Sequence, residues 1–142
     1  MKKKFKIVID TNVFISALKS RRGASFKLLF ETSKDKYESN ISPALIFEYE
    51  SIAKRNLNNL KIDEEDVNAI LDMICKTSKK WELFFLWRPQ LKDPKDDHIL
   101  ELAIESASDY IITYNKKDFK GIDKFGIEAL TPKEYLELIG EI

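Results

Sequence analysis

The sequence predicts an α/β protein with a central parallel β-sheet, because short apolar segments of strand character alternate with amphipathic helical segments. The expected strands are Phe5 to Ile9, Lys36 to Ile41, Trp81 to Trp87, Tyr110 to Thr113 and Ile127 to Leu130. Parallel strands need crossover connections, and helical crossovers cover both faces of the sheet. Functional side chains are therefore expected at the carboxyl ends of the strands.

The helices are indicated by their start signals and by apolar residues at helical spacing. Ser42-Pro43 is such a start, since serine is a favoured N-cap and proline fits the first helical position. The segment Asp63 to Lys80 begins with acids and finishes with lysines, which complements a helix dipole. Further helices are expected directly after Asp10, around Phe26 to Phe30, from Asp93 to about Ala107, and after Thr131-Pro132.

Length and composition set the broad class. A chain of 142 residues predicts one domain, residues 1–142, and its 24 basic and 24 acidic residues give no bulk charge signal for a nucleic-acid binder. Cys75 is alone, which excludes an intramolecular disulfide, and its helical context predicts a place at the edge of the core. The first residues contain no apolar stretch of signal-peptide or membrane-span length, so we expect a cytoplasmic protein without membrane contact.

Two aspartates occupy positions that a surface residue rarely takes. Asp10 ends the first strand, in the crevice where parallel sheets bind ligands, although it could instead cap the following helix. In the helix that starts near Asp93, Leu100 and Ala103 fall beneath Asp96, so its carboxylate is expected to point inward. Helix capping is the alternative for Asp96. Asp97 lies on the flank of this face and is expected to be solvated.

Two further acids are weaker candidates. Glu48 lies one turn from both Leu45 and Ile52, on the shoulder of a buried helix face, where it either reaches a cleft or is simply solvated. Asp118 follows the fourth strand and is either a site residue or an ordinary turn aspartate. The single histidine, His98, points away from the apolar centre of its helix and is expected to be solvated.

Carboxylates gathered in one place repel each other unless a cation lies between them, and hard cations such as Mg²⁺ or Mn²⁺ prefer oxygen ligands. Such ions lower the pKa of a water and orient it toward a phosphodiester. The sequence contains neither a P-loop nor a Gly-x-Gly-x-x-Gly motif that would indicate a nucleotide site. The acids therefore favour a metal-dependent nuclease.

Four segments in the same order and spacing resemble the PIN domain over nearly the whole chain. They are IVIDTNVFISAL, SPALIFEYESIAKR, DPKDDHILELA and TYNKKDF. Within that family, the sequence is similar to toxin components of toxin–antitoxin systems that are related to VapC-type ribonucleases. The resemblance implies a three-layer α/β/α sandwich with a central parallel sheet, and an acidic metal site that cleaves RNA.

Site residues are carried over from the resemblance position by position. The implied catalytic and metal-binding acids are Asp10, Glu48, Asp96 and Asp118, and the implied supporting residues are Asn12, Thr113 and Asn115. Two assignments stay open at this point. The fourth acid is Asp118 or is replaced by Asn115, and Asp93 or Asp97 competes with Asp96 for the third position.

The resemblance also implies partners: an RNA substrate cut to leave a 5′-phosphate, a cognate antitoxin protein and a second copy of the chain in a homodimer. Candidate phosphate contacts, each equally explained as a solubilising charge, are Lys19, Arg21, Arg22, Lys54, Arg55, Lys116 and Lys117. One rival is a PIN-like module that binds RNA or protein without cutting. The other is a phospho-accepting receiver domain, which needs an acidic pair at the first strand where this chain has Asp-Thr-Asn.

Overall fold

The computed structural model describes residues 4–82 and 96–142, which contain a five-stranded sheet whose paired strands are all parallel. The strands are β1 Phe5–Ile9, β2 Tyr37–Ile41, β3 Lys79–Lys80, β4 Tyr110–Ile112 and β5 Glu128–Leu130. Their order across the sheet is β3-β2-β1-β4-β5. The predicted α/β class with a parallel sheet is confirmed.

The centre of the sheet is covered on both faces. Ile7, Val8 and Ile9 follow one another in β1, so their side chains point alternately to opposite faces, yet all three are buried. Burial on both sides requires helices above and below, as in other parallel sheets. The molecule is therefore a three-layer α/β/α sandwich, as the sequence predicted.

The helices are α1 Thr11–Lys19, α2 Ala24–Phe26, α3 Pro43–Arg55, α4 Leu57–Leu60, α5 Glu64–Thr77, α6 Asp97–Glu105 and α7 Pro132–Leu138. Helices α1, α3, α5 and α7 begin where the sequence signals placed them. The Ser42 hydroxyl accepts the Leu45 N–H at 3.2 Å, and Thr131 caps α7 in a reciprocal capping box with Glu134. Among the described residues, no helix is long and apolar enough to cross a membrane.

The third strand is the main error in the predicted order of elements. The helix expected to reach Lys80 ends at Thr77, and Lys79–Lys80 form the short edge strand β3 beside β2. The predicted strand Trp81 to Trp87 is wrong at Trp81 and Glu82, although the Trp81 N–H donates to the Ile41 carbonyl at 2.9 Å. Two exposed lysines in an edge strand give no apolar signal. Residues 83–87 of that prediction, and the helix start at Asp93, lie outside the described residues.

The strand order reverses beside β1, and the carboxyl ends of β1 and β4 at this reversal are here called the crevice. Within the sheet, β2 lies on one side of β1 and β4 lies on its other side. Ile9 pairs with Ile112, so the residues that follow these strands leave the sheet side by side, and the Asp10 N–H donates to Ile112 at 2.9 Å. Parallel sheets bind ligands at such a reversal of strand order.

The opposite end of the same strands carries a cluster of aromatic rings, here called the aromatic cluster: Phe5, Tyr37, Tyr110 and Tyr135. The first three rings begin β1, β2 and β4, and Tyr135 comes from α7. Tyr135 contacts each of the other three, with ring centroids 5.9 to 6.4 Å apart. Edge-to-face pairs of this kind add to the burial of the rings themselves.

Candidate active site

Asp10 is the buried centre of the crevice. Its side chain lies between β1 and β4, and the residue is 6% exposed. The carboxylate accepts the Thr11 N–H on Oδ1 at 2.8 Å, and the Thr113 hydroxyl on Oδ2 at 2.8 Å. Asn12 donates to the same Oδ2 at 3.2 Å. Asp10 therefore caps α1, as one alternative held, while its second oxygen is held at the sheet edge.

Burial raises the pKa of Asp10, and the negative charge of nearby Glu48 raises it further. The hydrogen bonds from Thr113 and Thr11 act in the opposite direction, because they favour the ionised form. Burial has the largest effect, so the donors around Asp10 compensate its charge incompletely. A cation beside this carboxylate would supply the missing compensation.

The predicted supporting residues form one hydrogen-bond network around Asp10. Asn12 donates to the Thr113 hydroxyl at 3.3 Å and accepts the Tyr114 N–H at 3.2 Å. The Asn115 N–H donates to the Thr113 hydroxyl at 3.0 Å. The segment after β1 and the segment after β4 are thus tied together by their side chains, and the side chain of Asn115 itself is exposed.

Glu48 reaches the same edge from α3. Its Oε1 accepts the hydroxyl hydrogen of Thr11, and its Oε2 lies 2.9 Å from Nε2 of His98. The His98 hydrogen bond is the largest effect on the pKa of Glu48 and lowers it, and the Thr11 bond adds to this while partial burial opposes it. Since Thr11 is the neighbour of Asp10, two acids 38 positions apart in the chain meet around one residue.

Tyr49 explains why α3 presents Glu48 here. Its hydroxyl donates to the Ile9 carbonyl at the end of β1, and its ring stacks on Phe14 of α1 at 4.4 Å between centroids. Leu45 is buried one turn earlier on the same helix. This packing fixes α3 against α1 and β1, so that the residue before Tyr49 faces the crevice.

The start of α6 differs from the predicted arrangement. Asp96 is the half-buried N-cap residue, whereas Asp97 is 8% exposed, so the prediction of a solvated Asp97 is wrong. The solvated His98 is wrong as well, because its side chain is 21% exposed and contacts Glu48. The physical reason is that α6 packs on β1, β2, β4 and α3 together. A helix buried around most of its circumference has no single inward face.

Sequence reasoning also missed Glu101, which is 4% exposed and lies one turn after Asp97 on the same side of α6. The signal was available in the i, i+4 spacing of two acids within an apolar helix. It was overlooked because the inward face was centred on Asp96. Asp97 and Glu101 both interact with other groups in the structure.

Asp118 stands apart from the other predicted acids. It is half-buried in a 3₁₀ turn, Lys116–Phe119, which Phe119 anchors in the core. Its N–H donates to the Asn115 carbonyl at 2.9 Å. In the described part of the chain, the partners that bind the carboxylates of Asp10 and Glu48 do not include Asp118 or a group bound to its side chain. The structure brings Asp10 and Glu48 to one common neighbour, Thr11, and Asp118 lies outside that hydrogen-bond network.

The predicted basic residues are dispersed. Lys19, Arg21 and Arg22 are exposed at the far end of α1, whose nine residues span roughly 13 Å from the crevice. Lys54 pairs with Glu50 at 3.0 Å and with Glu64 at 3.4 Å, and Lys116 pairs with Glu134 at 2.9 Å. Arg55 donates to the Ser51 carbonyl at 3.2 Å, and Lys117 is exposed.

The potential metal ligands in the crevice are carboxylate oxygens whose charge is incompletely compensated. Oxygen ligands of this kind suit a hard divalent cation. Within residues 4–82 and 96–142, no three His, Cys, Asp or Glu side chains form a preassembled metal-binding group. Asp10 and Glu48 are the two acids whose contacts converge. A cation bound here would draw its remaining oxygens from water, substrate or other acids.

Comparisons with known proteins agree with this architecture. An uncharacterized protein of Methanocaldococcus jannaschii is 27% identical over an alignment of 148 positions, and the alignment covers 94% of this chain and 91% of that protein. The crystal structure of VapBC2 from Rickettsia felis, bound to a DNA fragment from their promoter, superimposes with a TM-score of 0.59 at 16% identity. The superposition covers 87% of this chain and 98% of that chain, and it shows a shared fold.

The sequence profile of the PIN domain matches residues 6–117, well over half of the chain. The matched range includes Asp10, Glu48, Asp96 and Asn115, and it ends one residue before Asp118. PIN domains are generally nucleases, and they generally use divalent metal ions. On the extent of this match, and with the fold and the acidic crevice in agreement with it, the chain belongs to the PIN domain family.

Proposed function

We propose that this chain is a metal-dependent endoribonuclease that hydrolyses RNA phosphodiester bonds at the carboxyl ends of β1 and β4, leaving a 5′-phosphate. The observation that carries the proposal is the convergence of Asp10 and Glu48, from different elements, around the single residue Thr11. Burying Asp10 with its charge incompletely compensated costs stability, and this cost is reasonable at a site that binds a cation.

The proposed metal-binding acids are Asp10, Glu48, one acid from the start of α6, and Asp118. Burial favours Asp97 over Asp96 for the third position, since Asp97 is 8% exposed and Asp96 is half-buried. Asn115 remains the alternative to Asp118, because its N–H already belongs to the Thr113 network. When bound, Mg²⁺ or Mn²⁺ supplies a water of lowered pKa and offsets the charge of the phosphate.

The residues around these acids orient them before substrate arrives. Thr113 and Asn12 bind Oδ2 of Asp10, and the Thr11 N–H binds Oδ1, so the carboxylate is fixed in one plane. A carboxylate that is already held in position needs little rearrangement when a charged ligand binds. Two predicted phosphate contacts, Lys116 and Lys117, directly follow Asn115 in the chain. Lys116 is paired with Glu134, so the exposed Lys117 is the proposed contact to an RNA phosphate.

The test is cleavage of an end-labelled single-stranded RNA by the purified chain in EDTA, Mg²⁺ or Mn²⁺. We expect cleavage with either metal and none in EDTA, and a loss of at least about 100-fold in Asp10→Asn and Glu48→Gln, since metal ligands matter more than their supporting residues. Glu50→Gln, also on α3 but paired with Lys54, is the matched control and should cleave like the parent.

Two further variants decide the third acid. Asp97→Asn should lose about as much activity as Asp10→Asn, and Asp96→Asn should lose less, because a half-buried N-cap residue is replaceable by asparagine. The reverse order would restore Asp96 as the third ligand.

Equal activity of the parent and Asp10→Asn would overturn the mechanism. RNA binding without cleavage by a folded parent would instead identify a PIN-like binding module.

We further propose that the chain is the toxin of a toxin–antitoxin pair and that it forms a homodimer. The likeness of its fold to VapBC2, a complex from Rickettsia felis described with its promoter DNA, supports this role. Induced expression should arrest growth, and co-expression with the neighbouring small open reading frame should restore it. Mapping new RNA 5′ ends during arrest would identify the target, and light scattering would measure the oligomeric state. Arrest by Asp10→Asn as strong as by the parent would contradict the toxin role.

A further inference from the structure

Both oxygens of the Glu48 carboxylate are held by side chains from other helices. The Thr11 hydroxyl at the start of α1 donates to Oε1, and Nε2 of His98 in the first turn of α6 lies 2.9 Å from Oε2. The Glu48 side chain is 31% exposed. A glutamate this exposed normally samples several rotamers, so two opposing contacts are a strong restriction on it.

The direction of the His98 contact follows from the chemistry of the pair. An ionised carboxylate can only accept hydrogen bonds, so Nε2 of His98 carries the hydrogen and donates it to Glu48. The other ring nitrogen, Nδ1, is buried and has no hydrogen-bond partner within the described residues. A histidine at this position leaves a buried ring nitrogen without a hydrogen bond, and this lowers the stability of the fold. The contact with Glu48 gives a reason for the histidine.

The same two contacts connect the three helices that supply acids to the crevice. Thr11 follows Asp10 at the start of α1, and His98 follows Asp97 at the start of α6. Glu48 on α3 lies between them and is bonded to both. A change in either contact would therefore alter the position of Glu48 relative to the first acid or to the third.

We propose that Thr11 and His98 are positioning residues for Glu48, which hold its two oxygens so that the remaining lone pairs face the divalent ion. This inference rests on the proposed nuclease function, because it assumes that Glu48 is a metal ligand. Neither residue acts on RNA directly. Each acts through the orientation of one carboxylate, and loss of such a supporting contact typically weakens metal binding about 10- to 100-fold.

The experiment uses pairs of variants that differ in one hydrogen-bonding group. Thr11→Val and His98→Leu remove the donors, whereas Thr11→Ser and His98→Gln keep a donor of similar reach. Mn²⁺ binding is measured by calorimetry or by the spin-resonance signal of free Mn²⁺, the metal dependence of RNA cleavage is measured in parallel, and thermal unfolding in EDTA monitors the fold. Asp10→Asn and Glu50→Gln serve as the inactive and the neutral reference.

We expect Thr11→Val and His98→Leu each to weaken Mn²⁺ binding about 10- to 100-fold. Thr11→Ser and His98→Gln should recover most of it, and all four variants should remain folded in EDTA. The inference is overturned if folded Thr11→Val and His98→Leu bind Mn²⁺ like the parent, or if the conservative variants fail as badly as the others. If the parent neither binds Mn²⁺ nor cleaves RNA, the proposed function fails first. If Thr11→Val and His98→Leu behave like the parent while Asp10→Asn is inactive, the positioning role of Thr11 and His98 is wrong and the proposed nuclease function stands.

Discussion

The two ends of the central strands are built on opposite principles. At the amino ends of β1, β2 and β4, the aromatic cluster packs Tyr135 against three other rings. At the carboxyl ends, a buried Asp10 is held by hydrogen bonds whose donors compensate its charge incompletely. The first end gains stability from apolar contact, and the second gives up stability to hold a charged group in place. Fold and candidate site are thus separated along the same strands.

The largest expected effect comes from emptying the aromatic cluster. Tyr135→Ala should lower the free energy of unfolding by about 3–5 kcal/mol, as measured by urea denaturation, because it removes a fully buried ring and leaves a cavity. The rate of RNA cleavage per folded molecule should not change. Tyr135→Leu, which fills part of the space, should lose less stability. A cleavage rate that falls in folded Tyr135→Leu would show that the two ends are coupled.

A finer change tests which hydroxyls of the cluster matter. The Tyr37 hydroxyl donates to the Leu28 carbonyl at 2.9 Å and accepts from Lys34 at 2.7 Å, so Tyr37→Phe should cost about 1–2 kcal/mol. The Tyr135 hydroxyl is buried without a hydrogen-bond partner in the described residues, so Tyr135→Phe should cost nothing measurable. Equal losses of unfolding free energy in the two variants would contradict this assignment.

The opposite end should respond with the opposite sign. Asp10→Asn should raise the free energy of unfolding of the metal-free protein at neutral pH, because burial raises the pKa of Asp10. A carboxyl whose pKa is raised by folding destabilises the fold while it is ionised, and this penalty disappears as it becomes protonated. The gain should therefore shrink as the pH falls through the pKa of folded Asp10. A gain that grows toward acid would contradict the predicted sign.

A small effect is expected at one exposed ion pair. Lys116 and Glu134 form an ion pair in which both side chains are more than 40% exposed, so Lys116→Ala should change the free energy of unfolding by about 0.5 kcal/mol or less. Because Lys116 is already paired with Glu134, the KM of Lys116→Ala for RNA should equal that of the parent. A KM that rises and becomes less salt-dependent would instead assign Lys116 to phosphate binding.

The sequence predicted those features whose signals are local. The strands β1, β2 and β4 and the starts of α3 and α7 were recognised, because β-branched runs and Ser-Pro or Thr-Pro caps act over a few residues. Asp10 was found for the same reason, since it directly follows an apolar strand. Tertiary contacts decided the rest. Lys79–Lys80 form a strand only because β2 offers them an edge.

In the candidate site, the errors lie on α6. Helical periodicity assigns one inward face, but α6 is enclosed by three strands and α3, so Asp97 and Glu101 are buried on a different side of the helix from the predicted inward face. The contact between His98 and Glu48 joins residues 50 positions apart, and no local pattern encodes it. Residues that act through a distant partner are therefore the part of the site that sequence periodicity cannot supply.

The short strand β3 has a consequence for how copies of the chain can meet. It forms one edge of the described sheet, and both of its residues, Lys79 and Lys80, are exposed. An edge bearing two adjacent positive charges disfavours pairing with the same edge of another molecule, because like charges would be brought together. The two lysines therefore disfavour extension of the sheet at the β3 edge.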